Sequence, residues 1–393
     1  MNATPIHAVA AVGDAADPAT WSGIPYHFLA AAATAGWATR PWRLEWPAHR
    51  WGRRWWNLGQ VLCGRGAGGY QYSGAFLDRA EAAIPPPLWH GRVLTFNQHF
   101  PRTARVWRRG GVPVHYLDAT FASFCASDGF AARLPRGVQA EARRIERDNL
   151  QASAQVVTMA HWAADAVAAE CGVPRDRVTT IMPGANLVLP PGHAFPVVPG
   201  WPGRDRPLVL GFVGKDWRRK GLPFLLAVRA ELERQGVRAE VRGAGFAPGE
   251  LGRTRGVASA GFIDKVRQPQ AFLDFLTGCD VGCLFSRREP LGLSTLEFLR
   301  AGVPVAGFAV EGLRDTLPAD AGFSFAPGTT ATEVAEELRA GFADAGAVAA
   351  RRACARVWSA QVTWERCLAE WGELLATGAI RSPCRLRPKL LSA

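Results

Sequence analysis

Residues 288–298 read "REPLGLSTLEF", with Glu289 and Glu297 at an E-x7-E spacing and a glycine, a serine and a threonine but no further charge between them. Ionised carboxylates only accept hydrogen bonds, so two of them near one ligand suit a polyhydroxylated partner such as a sugar or a ribose. The preceding run "DVGCLFS" (280–286) is continuously apolar and reads as a buried strand. "LSTLEFLRAG" (293–302) has helical spacing and stops at Gly302, with Pro304 beyond. Glu289 therefore belongs to a strand-to-helix loop and Glu297 lies one turn into the helix. Gly292 lets the backbone approach a ligand closely, and the amides of Leu293 and Ser294 open the helix toward it, as an anion requires. The competing reading is a helix-surface glutamate beside a first-turn glutamate that complements the helix dipole.

A second cluster lies upstream. The run "FVGKDWRRKG" (212–221) places Gly214, Lys215 and Lys220 between a strand and a helix, where free amides and two compact ammonium groups would meet a phosphate. Neither a Walker A spacing nor G-x-G-x-x-G is present, so a solvated basic turn competes with this reading. Arginine supplies nearly all the positive charge, and lysine occurs only at 215, 220, 265 and 389. A net charge of +12 implies attraction to something anionic without choosing among nucleic acid, membrane and phosphorylated substrate.

The elements that must position these residues follow from the apolar pattern. A chain of 393 residues suits two domains, and 48% hydrophobic with 20% charged residues excludes a largely disordered protein. Short apolar runs at 6–12, 92–97, 113–117, 155–159 and 178–182 read as strands. Beyond a proline- and glycine-rich stretch at 187–206 the pattern restarts at 207–213, leads into a helix over 222–236, and continues through strands at 237–242, 280–285 and 303–308. The expected organisation is a doubly wound domain over 1–190, a linker over 191–206, a second doubly wound domain over 207–375 and a basic tail over 376–393. In such sheets ligands bind at the carboxyl ends of strands, which is where both clusters fall. No apolar run approaches the ~20 residues that cross a bilayer, and the N-terminus has no basic region of a secretory signal. The eight cysteines are scattered, as buried thiols of a reducing cytoplasm would be.

Together, "GKDWRRKG", "GFIDK" (261–265), "EPLGLSTLE" followed by "AGVPVAGF", "WSGIPY" (21–26) and the stretch 156–186 resemble the retaining glycosyltransferases of family 4. The likeness covers most of the chain. It implies an α/β GT-B fold, two Rossmann-like domains facing a central cleft, and a nucleotide-diphosphate sugar, UDP- or GDP-linked, bound mainly by the C-terminal domain. By this resemblance Glu297 would bind ribose hydroxyls, Glu289 the donor sugar, Lys215 and Lys220 the diphosphate, and Phe262 and Ile263 the edge of the base. Gly23 would let the N-terminal domain close over the donor phosphate, although a lone glycine after a strand is as often just a turn. The family usually has arginine where Lys215 stands, and lysine neutralises a phosphate without the bidentate fork. Related transferases often carry a histidine at the end of an N-terminal strand facing the donor. Alignment by strand puts Asp118 of "PVHYLDATF" in that slot, with His99 at the end of the preceding strand. Asp118, His99 and Glu289 are thus the catalytic candidates, with a turn-capping role competing for Asp118.

The expected activity is transfer of a sugar, with retention, to an acceptor glycan or glycolipid held by the N-terminal domain. No cofactor is expected. No metal is expected either, since no D-x-D pair offers itself to Mg²⁺ or Mn²⁺. Two other classes fit less well. A dinucleotide-dependent oxidoreductase would need the glycine fingerprint that the first strand-helix turn lacks. A basic nucleic-acid-binding protein would need a recognisable motif, and none occurs. Finally, 41–56, "PWRLEWPAHRWGRRWW", interleaves Trp42, Trp46, Trp51, Trp55 and Trp56 with arginines. That composition suits sugar stacking, peripheral contact of a cytoplasmic protein with an anionic membrane, or core packing with solvated arginines between the rings.

Overall fold

Short, continuously apolar strands are buried on both faces and pair in parallel, because helices must cover both sides of the sheet they form. The computed structural model, which describes residues 5–44, 50–64, 66–126, 130–195, 205–251 and 256–377, shows two such sheets. The first contains β1 (Ala8–Ala10), β2 (Arg40–Pro41), β3 (Gly91–Thr95), β4 (Gly111–Leu117), β5 (Gln155–Thr158) and β6 (Val178–Thr180), in the order β2-β1-β3-β4-β5-β6. The second contains β7 (Leu208–Val213), β8 (Ala239–Ala244), β9 (Val257–Ser259), β10 (Val281–Leu284), β11 (Val305–Phe308) and β12 (Gly322–Phe325). Its order is β12-β11-β10-β7-β8-β9, the Rossmann arrangement, which turns back on itself between β7 and β10. Every pairing in both sheets is parallel.

The differences from the sequence expectation have local causes. β2, β9 and β12 were not anticipated, and β1 occupies only three residues of the expected 6–12. Strands of two to four residues at or near a sheet edge are too short to show a periodicity. The division of the chain also differs. The first compact unit runs to Pro183 and takes up the segment returning from Cys367, and the second begins at Gly184. The C-terminal helix Trp364–Thr377 explains this return, because from Cys367 onward its apolar face is used by the first unit. There Trp371, fully buried, packs edge-on against Phe28 and Tyr116 at centroid distances of 6.2 and 5.2 Å. An amphipathic helix declares that it has a partner but not which sheet that partner is. Residues 196–204 of the expected linker and 378–393 of the expected tail lie outside the described residues.

In the second unit the helix Leu293–Arg300 lies almost wholly inside: Ser294, Thr295, Leu296, Glu297, Phe298 and Leu299 are all buried. Phe298 sits over Gly211 of β7 and Gly282 of β10, where a β-carbon would stand 2.7 and 2.2 Å from its ring. The two strands at the turning point of the sheet thus seat the helix that carries Glu297.

Candidate functional site

The loops at the carboxyl ends of β7 and β10 border the point where the strand order reverses, the usual ligand crevice of an open parallel sheet. Gly221 allows them to meet there, and Gly292 lets the β10 loop turn into its helix. Gly221 has φ +84°, and a β-carbon on it would stand 2.2 Å from the carbonyl oxygen of Phe285. Gly292 has φ +81°, with Leu313 Cδ2 2.3 Å from where its β-carbon would be. No other residue fits either position without moving the neighbouring chain.

The expected cationic and acidic residues converge. Lys220 Nζ lies 3.7 Å from Glu289 Oε2, which Arg219 Nη1 approaches to 3.5 Å and to which Ser286 Oγ donates at 3.2 Å. Glu289 is buried beneath these groups. Lys215, on the exposed side of its loop, places Nζ 5.0 Å from the ring centre of Phe262, itself 62% exposed, with Ile263 half-buried beside it. Glu297 is fully buried, which removes the helix-surface reading of this residue. Its Oε1 accepts from Lys265 Nζ, and its Oε2 has no hydrogen-bond partner among the described residues. Burial pushes the Glu297 carboxyl above the usual carboxylate range, while Lys265 and then Lys220 pull it back. Ser294 Oγ, in the first turn of the same helix, is likewise buried with no partner among the described residues. Buried polar atoms are almost always paired, so an acceptor and a hydroxyl left open on one helix start mark where a ligand would complete the bonding.

Sequence reasoning missed three members of this cluster. Lys265 was named only within "GFIDK", although its rarity as one of four lysines was a signal. Arg219 was hidden in the run "WRRK", and Ser286 was read only as the end of a strand. Two of them act across the chain, over separations of 32 and 70 residues for Lys265–Glu297 and Arg219–Glu289, whereas Ser286 lies three residues from Glu289.

The remaining candidates belong to the first unit. Gly23, with φ 83°, begins the helix Ile24–Thr34 after the loop that follows β1. Trp21 and Ser22 before it also have positive φ, 49° and 56°, an uncommon backbone for residues with side chains. Asp118 follows the last residue of β4 and is half-buried. Thr120, not Asp118, caps the next helix, Phe121–Cys125, accepting from the amide of Ser123. His99 is 3% exposed, edge-on to Tyr72 and Phe121, with Nε2 3.1 Å from the carbonyl oxygen of Ala142. Burial holds its pKa down at about 3, so the ring is a neutral core group. Of the tryptophans in 41–56, Trp42 is fully buried against Trp89 and Phe100, and Trp46 lies outside the described residues.

Comparison with known proteins places this arrangement. Residues 207–344 match the family model of Glycosyl transferases group 1. The 2-deoxystreptamine glucosyltransferase of Streptomyces kanamyceticus is 30% identical over 232 residues, which are 55% of this chain and 58% of that protein. The chain thus aligns with less than two thirds of that relative's length. Among solved structures, sucrose-phosphate synthase from Thermosynechococcus elongatus superposes with a TM-score of 0.66 at 16% identity, covering 94% of this chain and 98% of that one. Anabaena HepE in complex with UDP and glucose gives 0.55 at 16% identity, over 73% of this chain and 77% of that one. The fold is therefore the two-domain α/β GT-B fold.

Proposed function

We propose that the protein is a GT-B glycosyltransferase of the retaining, family 4 type, which moves a hexose from a nucleotide-diphosphate sugar to an acceptor glycan or glycolipid. The observation that carries this reading is Glu297: a fully buried carboxylate with one oxygen on Lys265 and the other open, on the first turns of a helix at the switch point of a Rossmann sheet. A ribose hydroxyl donating to Oε2 would supply the missing bond. The match of 207–344 to the transferase model falls on the unit that holds this group.

The chemistry follows from the charges around it. Lys220 and Lys215 would neutralise the diphosphate, and the amides at Leu293 and Ser294 would face its oxygens, stabilising the leaving group as the glycosidic bond lengthens. Phe262 and Ile263 would border the base, and Glu289 would accept from hydroxyls of the donor sugar. The transition state has oxocarbenium character, so Asp118, at the end of β4, would favour it over the ground state by placing negative charge near it. His99 is tied into the core and is the weaker candidate. Retention would follow from acceptor attack on the face that the diphosphate leaves, with a phosphate oxygen taking the acceptor proton. Cationic side chains and a helix start suffice to neutralise the diphosphate, so the transfer runs without a divalent ion and in the cytoplasm, where nucleotide sugars are made.

Titration of intrinsic fluorescence with UDP-glucose, GDP-mannose, NAD and duplex DNA tests the reading. Saturable binding of one nucleotide sugar, with slow EDTA-resistant release of free nucleotide diphosphate, is expected. UDP-glucose is the first donor to try, given the glucosyltransferase relative and the UDP and glucose bound by HepE. Binding of NAD in preference to every sugar nucleotide would overturn it.

A further inference from the structure

The helix Arg50–Leu62, "RWGRRWWNLGQVL", belongs to no part of the candidate site. Its inner side is fastened to the first unit. Trp56 Nε1 donates to the carbonyl oxygen of Gly68 at 2.8 Å, the Gly68 amide donates to Asn57 Oδ1 at 3.0 Å, and the Trp56 ring tilts against Tyr70. Its outer side is apolar. Trp51, Trp55, Leu58 and Leu62 recur at helical spacing on one stripe and are 67%, 69%, 47% and 77% exposed, with Val61 beside them at 58%. Two tryptophans and three aliphatic side chains in a row exceed the scattered apolar residues of an ordinary surface.

Charge identifies what this stripe meets. Arg50, Arg53 and Arg54 are exposed on the same helix, which carries no acidic residue, and the Arg54 guanidinium lies 5.0 Å over the Trp51 ring. A second copy of the chain would bring one cationic face against another. A bilayer with anionic headgroups offers both complements: phosphates for the arginines and a headgroup boundary where indole rings settle with their N–H wetted. We propose that this helix is a peripheral membrane-docking element, lying in the plane of an anionic phospholipid surface with Trp51, Trp55, Leu58 and Leu62 inserted to the level of the acyl boundary. Its inner face remains pinned to the protein, so docking needs no rearrangement of the helix.

This inference stands independently of the transferase reading, and its test does not use activity. The full chain is floated with vesicles of equal parts phosphatidylcholine and phosphatidylglycerol, and with phosphatidylcholine alone. Binding to the anionic vesicles is expected to be at least about tenfold stronger and to fade with salt. The Trp51→Ser/Trp55→Ser double variant should lose about tenfold or more of that binding with its melting temperature unchanged, since both rings are exposed. Replacing Arg50, Arg53 and Arg54 by glutamine should weaken it about fivefold for each charge removed. A blue shift of tryptophan emission on anionic vesicles, absent in the double variant, would locate the inserted rings. Failure to float with anionic vesicles at low salt overturns the proposal. So does flotation that survives loss of both tryptophans, which would be general cationic adhesion. A dimer in light scattering that the double variant dissolves would assign the stripe to self-association.

Discussion

Each unit of the molecule buries glutamates, and two of them, Glu146 in the first and Glu297 in the second, are used differently. Glu146, on the first unit's helix Arg136–Gln151, is 2% exposed and accepts from the amide of Phe121 at 2.7 Å, with Cys171 hydrogen-bonding to it as well. Among the described residues no cation is hydrogen-bonded to it. Burial and then the neighbouring Glu170 push its carboxyl up to about 8, while Phe121, Cys171 and Arg143 oppose the rise. Glu297 is buried as deeply but has Lys265 on one oxygen and, among the described residues, no partner on the other. A buried carboxylate whose bonds close within the fold is a structural pin. One that keeps a cation and an open acceptor is built to receive a ligand. Burial alone separates neither case; the bonding around it does.

Mutating both glutamates would break or sharpen that contrast. The largest effect is expected at the second unit, where Glu297→Ala and Lys220→Ala should each lower donor turnover or affinity by at least about tenfold. Each loses a charge-assisted contact of roughly 1.5–3 kcal/mol. Thermal melting should show the fold intact, and parental donor kinetics in both variants would remove the site from this helix. Next comes Asp118, after the last residue of β4 in the first unit. Asp118→Asn should reduce kcat by roughly tenfold or more while leaving donor affinity and melting temperature near parental values, because the cap of the following helix belongs to Thr120. His99→Gln should do the reverse, lowering melting temperature while folded protein keeps its kcat. If kcat fails in His99→Gln and survives in Asp118→Asn, the two roles are exchanged.

The effect confined to the narrowest conditions is a pH dependence. Glu146 keeps its proton in the folded state up to about pH 8, whereas the unfolded chain releases it near the ordinary carboxylate value. The folded state therefore binds more protons across that window, and this group's contribution to stability falls as pH rises through it. Glu146→Gln, which keeps an acceptor for the Phe121 amide, should unfold at a higher urea concentration than the parent at about pH 8 and at the same concentration near pH 4. Equal midpoints at both pH values would mean that the carboxylate ionises in place and that the contrast with Glu297 is weaker than the geometry shows.

The second unit was easier to read from sequence than the first, and the reason is local. Its site is written on contiguous segments: "GKDWRRKG" as one loop, "EPLGLSTLE" as a loop and a helix start, each following a strand with a continuous apolar run. Strand-to-helix loops at the carboxyl ends of parallel strands are where ligands gather, so Lys215, Lys220, Glu289, Gly292 and Glu297 group as candidates on sequence alone. The first unit offers single residues. Asp118 and His99 both end strands, and only packing showed the His99 ring wedged between Tyr72 and Phe121 with Nε2 bonded to Ala142.

By itself, then, the sequence determined the α/β class, two doubly wound domains and the helix start at Gly292. Those properties depend on apolar periodicity and on glycine, proline and charge within ten or so neighbouring residues. Only the tertiary structure decided that Lys265 meets Glu297, that Arg219 reaches Glu289, that Trp371 returns to the first unit, and that Trp42 is core while Trp51 and Trp55 face outward. Each of those depends on which surface lies opposite a side chain, and chain neighbours do not encode that: the same indole or carboxylate is core, pin or ligand group according to what packs against it.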